Sequence, residues 1–180
     1  RFVEALFHLG EPLANAVAEH LDLAAAAPGT TVLDVGAGSG VWGITLARRS
    51  PHLTIHAVDF PRVLEVTRAL AVRHGVADRL TTVAGDFLSV DLGSGHRVAA
   101  LGHLLHSEGP ERNRRLLERV FAALAPGGTV VITEFVPADD RSGPAQPLLF
   151  AVNMLVNTVA GGTYTLGEIA CWLAGAGFTR

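Results

Sequence analysis

The sequence contains no lysine: all 14 basic residues are arginine, set against 17 acids for a net charge of −3. With no basic run and only 6% aromatic residues, nucleic acid is excluded as an expected partner. There is one cysteine, Cys171, so no internal disulfide can form, and an intracellular, cytoplasmic protein is expected. Cys171 falls inside a helical pattern and reads as core filler. No apolar run reaches the ~18–20 residues that a membrane span requires, so no membrane contact is expected. The opening Arg1-Phe2-Val3-Glu4-Ala5-Leu6 lacks a methionine and a signal-peptide layout, and both ends read as cut. What remains is 180 residues, enough for one domain with a sizeable core.

That domain is organised around residues 32–40, Val-Leu-Asp-Val-Gly-Ala-Gly-Ser-Gly. Apolar residues frame Asp34, Gly36, Gly38 and Gly40 follow at alternate positions, and a helical pattern starts at Val41. Strand, glycine turn and helix form the entry to a nucleotide-type pocket at the carboxyl end of a parallel strand. Asp34 is unusual there, because a carboxylate repels a pyrophosphate but suits a cationic ligand. A second strand ends in Asp59, 23 residues after Gly36, an offset at which an acid reaches ribose hydroxyls. A third ends at Asp86. Three successive strands thus close with an acid on one rim.

The rest of the chain alternates strands and helices. Strands are expected at 31–35, 53–58, 80–84, 97–102 and 129–134, and helices at 41–49, 61–74 and 110–124. Pro126-Gly127-Gly128 reads as a helix stop and turn. This is an α/β fold, Rossmann-like, doubly wound and mainly parallel, with helices on both faces and the terminal strands apparently missing. Residues 1–28 read as a helical lead-in of two short helices broken at Gly10-Glu11-Pro12, ahead of a catalytic domain over 29–180. An apolar helix is expected over 148–159, broken by Gly161-Gly162. A last helix starts at Thr165 with Glu168 completing a capping box and ends near Gly175 and Gly177. Phe178-Thr179-Arg180 should begin another strand.

The glycine loop, the Ala57-Val58-Asp59 strand end and Gly85-Asp86-Phe87 resemble class I S-adenosylmethionine-dependent methyltransferases. Leu105-His106, the helix from Arg112 to Leu124, Ala125-Pro126-Gly127-Gly128 and Ile132-Thr133-Glu134 resemble the small-molecule O-methyltransferases, which include plant phenylpropanoid and bacterial natural-product tailoring enzymes. The resemblance implies methyl transfer from S-adenosylmethionine to a hydroxyl of a small aromatic or polyketide-like acceptor, with S-adenosylhomocysteine as product. It places Gly36, Gly38 and Gly40 along the amino-acid and ribose portions of the donor. Asp59 would bind the ribose hydroxyls, Asp86 and Phe87 would flank the adenine, and Asp34 would act through the loop. By the same pattern His106 is the general base and Glu134 the acid that orients it. Gly102 and His103 fall beside the donor, and full-length relatives dimerise through a domain absent here.

This sequence departs from plant members at Ser107-Glu108-Gly109-Pro110, where they carry Asp-Trp-Ser-Asp, and at Gly102, where a lysine is common. Near the start of the last helix, a second acid of the family is replaced around Thr163. Phe150, Asn153, Met154 and Asn157 share a helical face suited to an acceptor, the asparagines being favoured because buried amides need partners. His8, His20, His52, His56, His74 and His96 are scattered without metal-ligand spacing, and no metal site is expected. The competing readings are C- or N-methyl transfer on the same fold, a nicotinamide-dependent oxidoreductase, and a non-catalytic donor-binding fragment. Gly38-Ser39-Gly40-Val41-Trp42-Gly43 satisfies the dinucleotide pattern, but without lysine no Tyr-x-x-x-Lys dyad exists.

Overall fold

The computed structural model describes residues 2–21, 23 and 26–179. The chain forms two compact units, residues 1–100 with 123–131 and residues 101–122 with 132–180. Ala24 and Ala25 of the expected connection, and Arg180 of the expected last strand, lie outside the described residues.

The first unit carries most of a five-stranded parallel sheet flanked by helices. Helix α1 (Phe2–His20) precedes β1 (Thr31–Val35), α2 (Val41–Arg48), β2 (Thr54–Asp59), α3 (Pro61–Arg73), β3 (Leu80–Ala84), β4 (His96–Gly102), α4 (Pro110–Ala123) and β5 (Leu124–Thr133). The strand order is β3-β2-β1-β4-β5. The chain therefore builds outward from β1 and then crosses to its other side, and that reversal between β1 and β4 is where such sheets receive ligands. Val32, Leu33, Asp34 and Val35 are all buried, as a central strand covered on both faces requires. The β1–β2 register pairs Asp34 with Ala57 and the β2–β3 register pairs Asp59 with Ala84, so these two acids stand at the carboxyl ends of their strands, whereas β3 stops at Ala84 and Asp86 lies two residues past it.

Helix α2 is buried over seven of its eight residues, Val41 to Ala47, so it has no polar face. Its N-cap, Gly40, has no side chain to cap it and sits at φ 76°. The cap comes instead from β1: the Gly43 N–H donates to Asp34 Oδ2 at 2.9 Å. Residue 43 must be glycine, because a Cβ there would stand 2.6 Å from Ile55 Cγ2 and 2.9 Å from that carboxylate oxygen.

The lead-in is one 19-residue helix, not two short ones. Pro12 lies inside it, and Gly10 lets the helix approach α2, since a Cβ there would meet Val41 Cγ1 at 3.1 Å. Packing of Phe7, Ala14 and Ala18 into the core outweighs the local helix-breaking signal. Strand β5 also begins earlier than expected, at Leu124, and takes in Pro126–Gly128 with Gly127 at φ 72°.

The second unit holds α4 and the helices α5 (Ala145–Asn157) and α6 (Leu166–Ala176). The capping box of α6 forms as read: Thr165 Oγ1 accepts from the Glu168 N–H at 3.2 Å, and Glu168 Oε2 accepts from the Thr165 N–H at 2.8 Å. Gly177, at φ 105°, ends the helix. Cys171 is exposed, because the buried stripe of α6 runs through Ile169 and Trp172 and leaves it outside. Phe178 and Thr179 are not in a strand; the Phe178 ring packs edge-on against Phe121 at 5.1 Å. No helix among the described residues is long and apolar enough to cross a membrane.

Candidate active site

In the first unit the glycine loop is tied down on both sides. The N–H groups of Gly36 and Ala37 donate to the Val58 carbonyl at 2.9 and 3.2 Å. The Gly38 N–H donates to Asp59 Oδ2 at 2.8 Å, while the Gly38 carbonyl accepts from Thr67 Oγ1 at 2.8 Å. Gly38 therefore sits at φ 57° with both backbone groups engaged, a conformation that a side chain would strain. Asp59 uses its second oxygen on the Phe60 N–H at 2.6 Å. Its two carboxylate oxygens are thus fixed in direction but retain lone pairs for a diol. Asp86 Oδ1 accepts from the Leu88 N–H at 2.9 Å, closing a turn, and Phe87 is buried beside it in sequence.

Asp34 is fully buried. Oδ2 takes the Gly43 N–H, and Oδ1 has no hydrogen-bond partner among the described residues. Burial pushes its carboxyl up to about 7, the Gly43 hydrogen bond pulls the other way, and the Asp59 charge adds to the rise. The carboxyl thus reaches no solvent and holds the backbone that follows the loop.

In the second unit His106 lies on a single 3-10 turn, Leu105–Ser107, and Glu134 follows β5 directly. His106 Nδ1 is 2.7 Å from Glu134 Oε2, and the His106 backbone N–H donates to Glu134 Oε1 at 3.3 Å. One carboxylate thus grips the residue through ring and backbone together. With Nδ1–H donating to Glu134, a neutral imidazole carries its lone pair on Nε2, available to a proton. The Glu134 side chain is only 4% exposed and that of His106 14%, so the pair is shielded without being sealed. Phe150 meets the His106 ring edge-on at 4.9 Å, and Phe135 lies 4.3 Å from Phe150, giving the pair an apolar aromatic wall.

The turn itself is braced from two sides. Asn113 Nδ2, buried on α4, donates to the Leu105 carbonyl at 2.9 Å, and the Gly162 N–H donates to the His106 carbonyl at 2.9 Å. A Cβ on Gly161 would stand 2.3 Å from that same carbonyl oxygen, so Gly161 is shaped to the turn; it does not end α5, which stops at Asn157 with Thr158 as its cap. Gly102 ends β4 in this part of the chain, and His103 follows at φ 55° with its N–H on the Thr133 carbonyl at 2.8 Å. His103 is exposed, and the partial loss of water around its ring is the largest effect holding the imidazole below its ordinary value; Glu134 opposes this and His106 adds to it.

Asn153 and Asn157 are exposed, so the premise of buried amides fails. Asn157 Nδ2 donates to Asn153 Oδ1 at 2.8 Å and to its carbonyl at 2.9 Å, one helical turn back. Met154, between them, is buried. Sequence reasoning missed Thr67, Asn113, Phe135 and the role of Gly161. Asn113 carried a signal: with Leu116, Leu117 and Val120 it shares the i, i+3, i+4, i+7 face of α4, where a lone polar residue asks for a partner.

Comparison with known proteins places the chain in a family. The O-methyltransferase domain family profile matches residues 11–179. A 3-hydroxy-5-methyl-1-naphthoate 3-O-methyltransferase of Streptomyces sahachiroi is 38% identical over 176 residues, 98% of this chain and 50% of that enzyme. An O-methyltransferase family protein from Burkholderia thailandensis superposes with a TM-score of 0.90 at 28% identity, over 99% of this chain and 53% of that one. Human N-acetylserotonin methyltransferase, solved in complex with SAM, does so with a TM-score of 0.83 at 26% identity, covering 99% and 50%. The chain spans about half the length of the relatives it matches. On the match over residues 11–179, the chain belongs to the O-methyltransferase domain family.

Proposed function

We propose that this chain is the catalytic part of an S-adenosylmethionine-dependent O-methyltransferase acting on a hydroxyl of a small aromatic acceptor. The observation that carries the reading is the 2.7 Å contact between His106 Nδ1 and Glu134 Oε2 beside Phe135 and Phe150. The donor, bound in the human relative and taken here by analogy, supplies an electrophilic methyl group on a sulfonium. Gly36, Gly38 and Gly40 give it bare backbone, Asp59 holds the ribose diol, and Asp86 and Phe87 flank the adenine. Asp34 supplies a buried negative charge near the loop once the ligand's positive charge draws off its proton.

His106 accepts the hydroxyl proton at Nε2 as the acceptor oxygen gains its methyl, and Glu134 stabilises the imidazolium that results. A phenol with a pKa near 10 gains about 10²–10⁴-fold from such a base. Phe135 and Phe150 favour a flat, apolar acceptor, in keeping with the naphthoate named for the Streptomyces relative, and Met154, Asn153 and Asn157 on α5 complete its surroundings. We further propose that the whole protein is a cytoplasmic homodimer. The test is turnover of hydroxylated naphthoates and phenols by the whole protein, followed by mass spectrometry and repeated with His106→Ala. Methyl ether formation that falls at least a hundredfold in the variant, with S-adenosylhomocysteine binding unchanged, supports the reading. Equal turnover by the variant, or methylation at carbon, overturns it.

A further inference from the structure

The second unit brings a third side chain, His103, to the His106–Glu134 pair. One donor atom from each of His103, His106 and Glu134 lies within 4.8 Å of the other two. His103 is held there at a cost: among the described residues it is one of two non-glycine residues with positive φ, at 55°, a conformation worth explaining wherever it occurs. Its N–H bond to the Thr133 carbonyl pins that backbone beside the Glu134 strand end, and its ring stands 6.1 Å from that of His106. A tight turn could be made with glycine at this position, yet the residue is an imidazole facing another imidazole and a carboxylate.

We propose that His103, His106 and Glu134 form a binding site for a divalent transition metal of the zinc class, and that occupation of this site switches the enzyme off. Two imidazole nitrogens and one carboxylate oxygen are the donors that Zn2+, Cu2+ and Ni2+ take, whereas Mg2+ and Ca2+ prefer oxygen alone. Zinc holds such ligands at about 2.0–2.2 Å. His103 is exposed, so its ring is free to rotate toward the other two, and the 2.7 Å contact between His106 Nδ1 and Glu134 Oε2 has to widen as the metal replaces the proton between them. Three protein ligands leave a fourth position for water or for an oxygen of an incoming phenol. The Phe135 ring, 5.0 Å from His103 and 6.3 Å from His106, lowers the local dielectric and strengthens the attraction between the cation and the carboxylate. A metal on His106 Nδ1 leaves the proton of the neutral ring on Nε2, so a metal-bound His106–Glu134 pair cannot accept a proton from substrate.

The inhibitory half of this proposal rests on the proton-accepting role of His106, and the binding half does not. Binding is therefore read first and without substrate, by titrating Co2+ into the apo chain and following its visible d–d absorption, then displacing it with Zn2+. One equivalent bound at micromolar concentration with the intense spectrum of a four-coordinate site is expected. His103→Ala, on the exposed ligand and with circular dichroism confirming its fold, should weaken that binding by roughly tenfold or more. Absence of such a spectrum up to millimolar Co2+, or an unchanged titration in His103→Ala, overturns the site. With binding established, Zn2+ should inhibit methyl transfer at the concentration at which it displaces Co2+, and His103→Ala should raise that concentration in step. Zinc bound at the site without loss of turnover overturns the switch.

Discussion

Replacing Asp34 by asparagine isolates the energetic consequence of a buried acid at the mouth of the glycine loop. The change keeps a carbonyl oxygen for the Gly43 N–H, so the cap on α2 survives, and it removes only the ability to ionise. In the folded chain the Asp34 carboxyl titrates at about 7, and in the unfolded chain near ~3.9. A folded-state value above the unfolded one gives stability that is complete below the unfolded value and is lost as pH rises through the folded one. Between pH 5 and pH 7 the unfolded chain has already released this proton and the folded chain has not. Each pH unit in that window costs about 1.4 kcal/mol, so wild-type loses roughly 3 kcal/mol from this group between pH 5 and pH 8. The variant loses none of it. Its amide N–H2 takes the place of an oxygen with no partner among the described residues, at about 1–3 kcal/mol, but that cost is the same at every pH. Urea denaturation of both chains at pH 5 and pH 8 cancels it. The stability difference, variant minus wild-type, should rise by about 3 kcal/mol between the two conditions. A difference that stays flat with pH would show that Asp34 is ionised throughout and that burial does not govern it.

Other expectations follow from single contacts. Gly161→Ala drives a Cβ to within 2.3 Å of the His106 carbonyl and should lower kcat by at least tenfold with little change in donor affinity, measured by steady-state kinetics and calorimetry. Thr67→Ala removes the hydroxyl that donates to the Gly38 carbonyl and should do the reverse, weakening S-adenosylhomocysteine binding by about 1 kcal/mol with the base pair intact. His56 is held below its ordinary value chiefly by burial, with His96 adding to this and Asp91 opposing it. A depressed folded-state value means stability that is present above the ordinary histidine range and is lost as pH falls. His56→Leu should therefore flatten acid unfolding below about pH 6.5 in thermal melts, and an unchanged profile would contradict the assignment.

The strands and most helices were legible because their signals are local and agree with one another. Buried parallel strands are mostly apolar, as Val32, Leu33 and Val35 are in β1, and the box at Thr165 and Glu168 is a two-residue signature. The His106–Glu134 pair was visible only through resemblance, since nothing in 28 residues of separation states that two side chains meet. Where tertiary packing decided the outcome, the sequence misled. Gly10 and Pro12 look like a helix break, but the glycine serves a close approach to Val41 and the helix continues. Gly161 and Gly162 likewise look like punctuation, yet they fit against the turn that carries His106. Asn153 and Asn157 look like a buried polar pair on an apolar helix, but the face they share is open and they satisfy one another. Cys171 shows the same limit, because an 11-residue helix with small and apolar residues on every side does not announce which side is covered.

The most direct test of the central claim is the single-turnover rate of methyl transfer from pre-bound S-adenosylmethionine, compared across wild-type, His106→Ala and Glu134→Gln. If the pair removes the acceptor proton, the rate falls by about 10²–10⁴-fold in His106→Ala and by a smaller factor in Glu134→Gln. The loss in His106→Ala should shrink for acceptors whose hydroxyl is already ionised at the assay pH. Rates that match wild-type in both variants, or a loss independent of the acceptor's acidity, would contradict a base at His106.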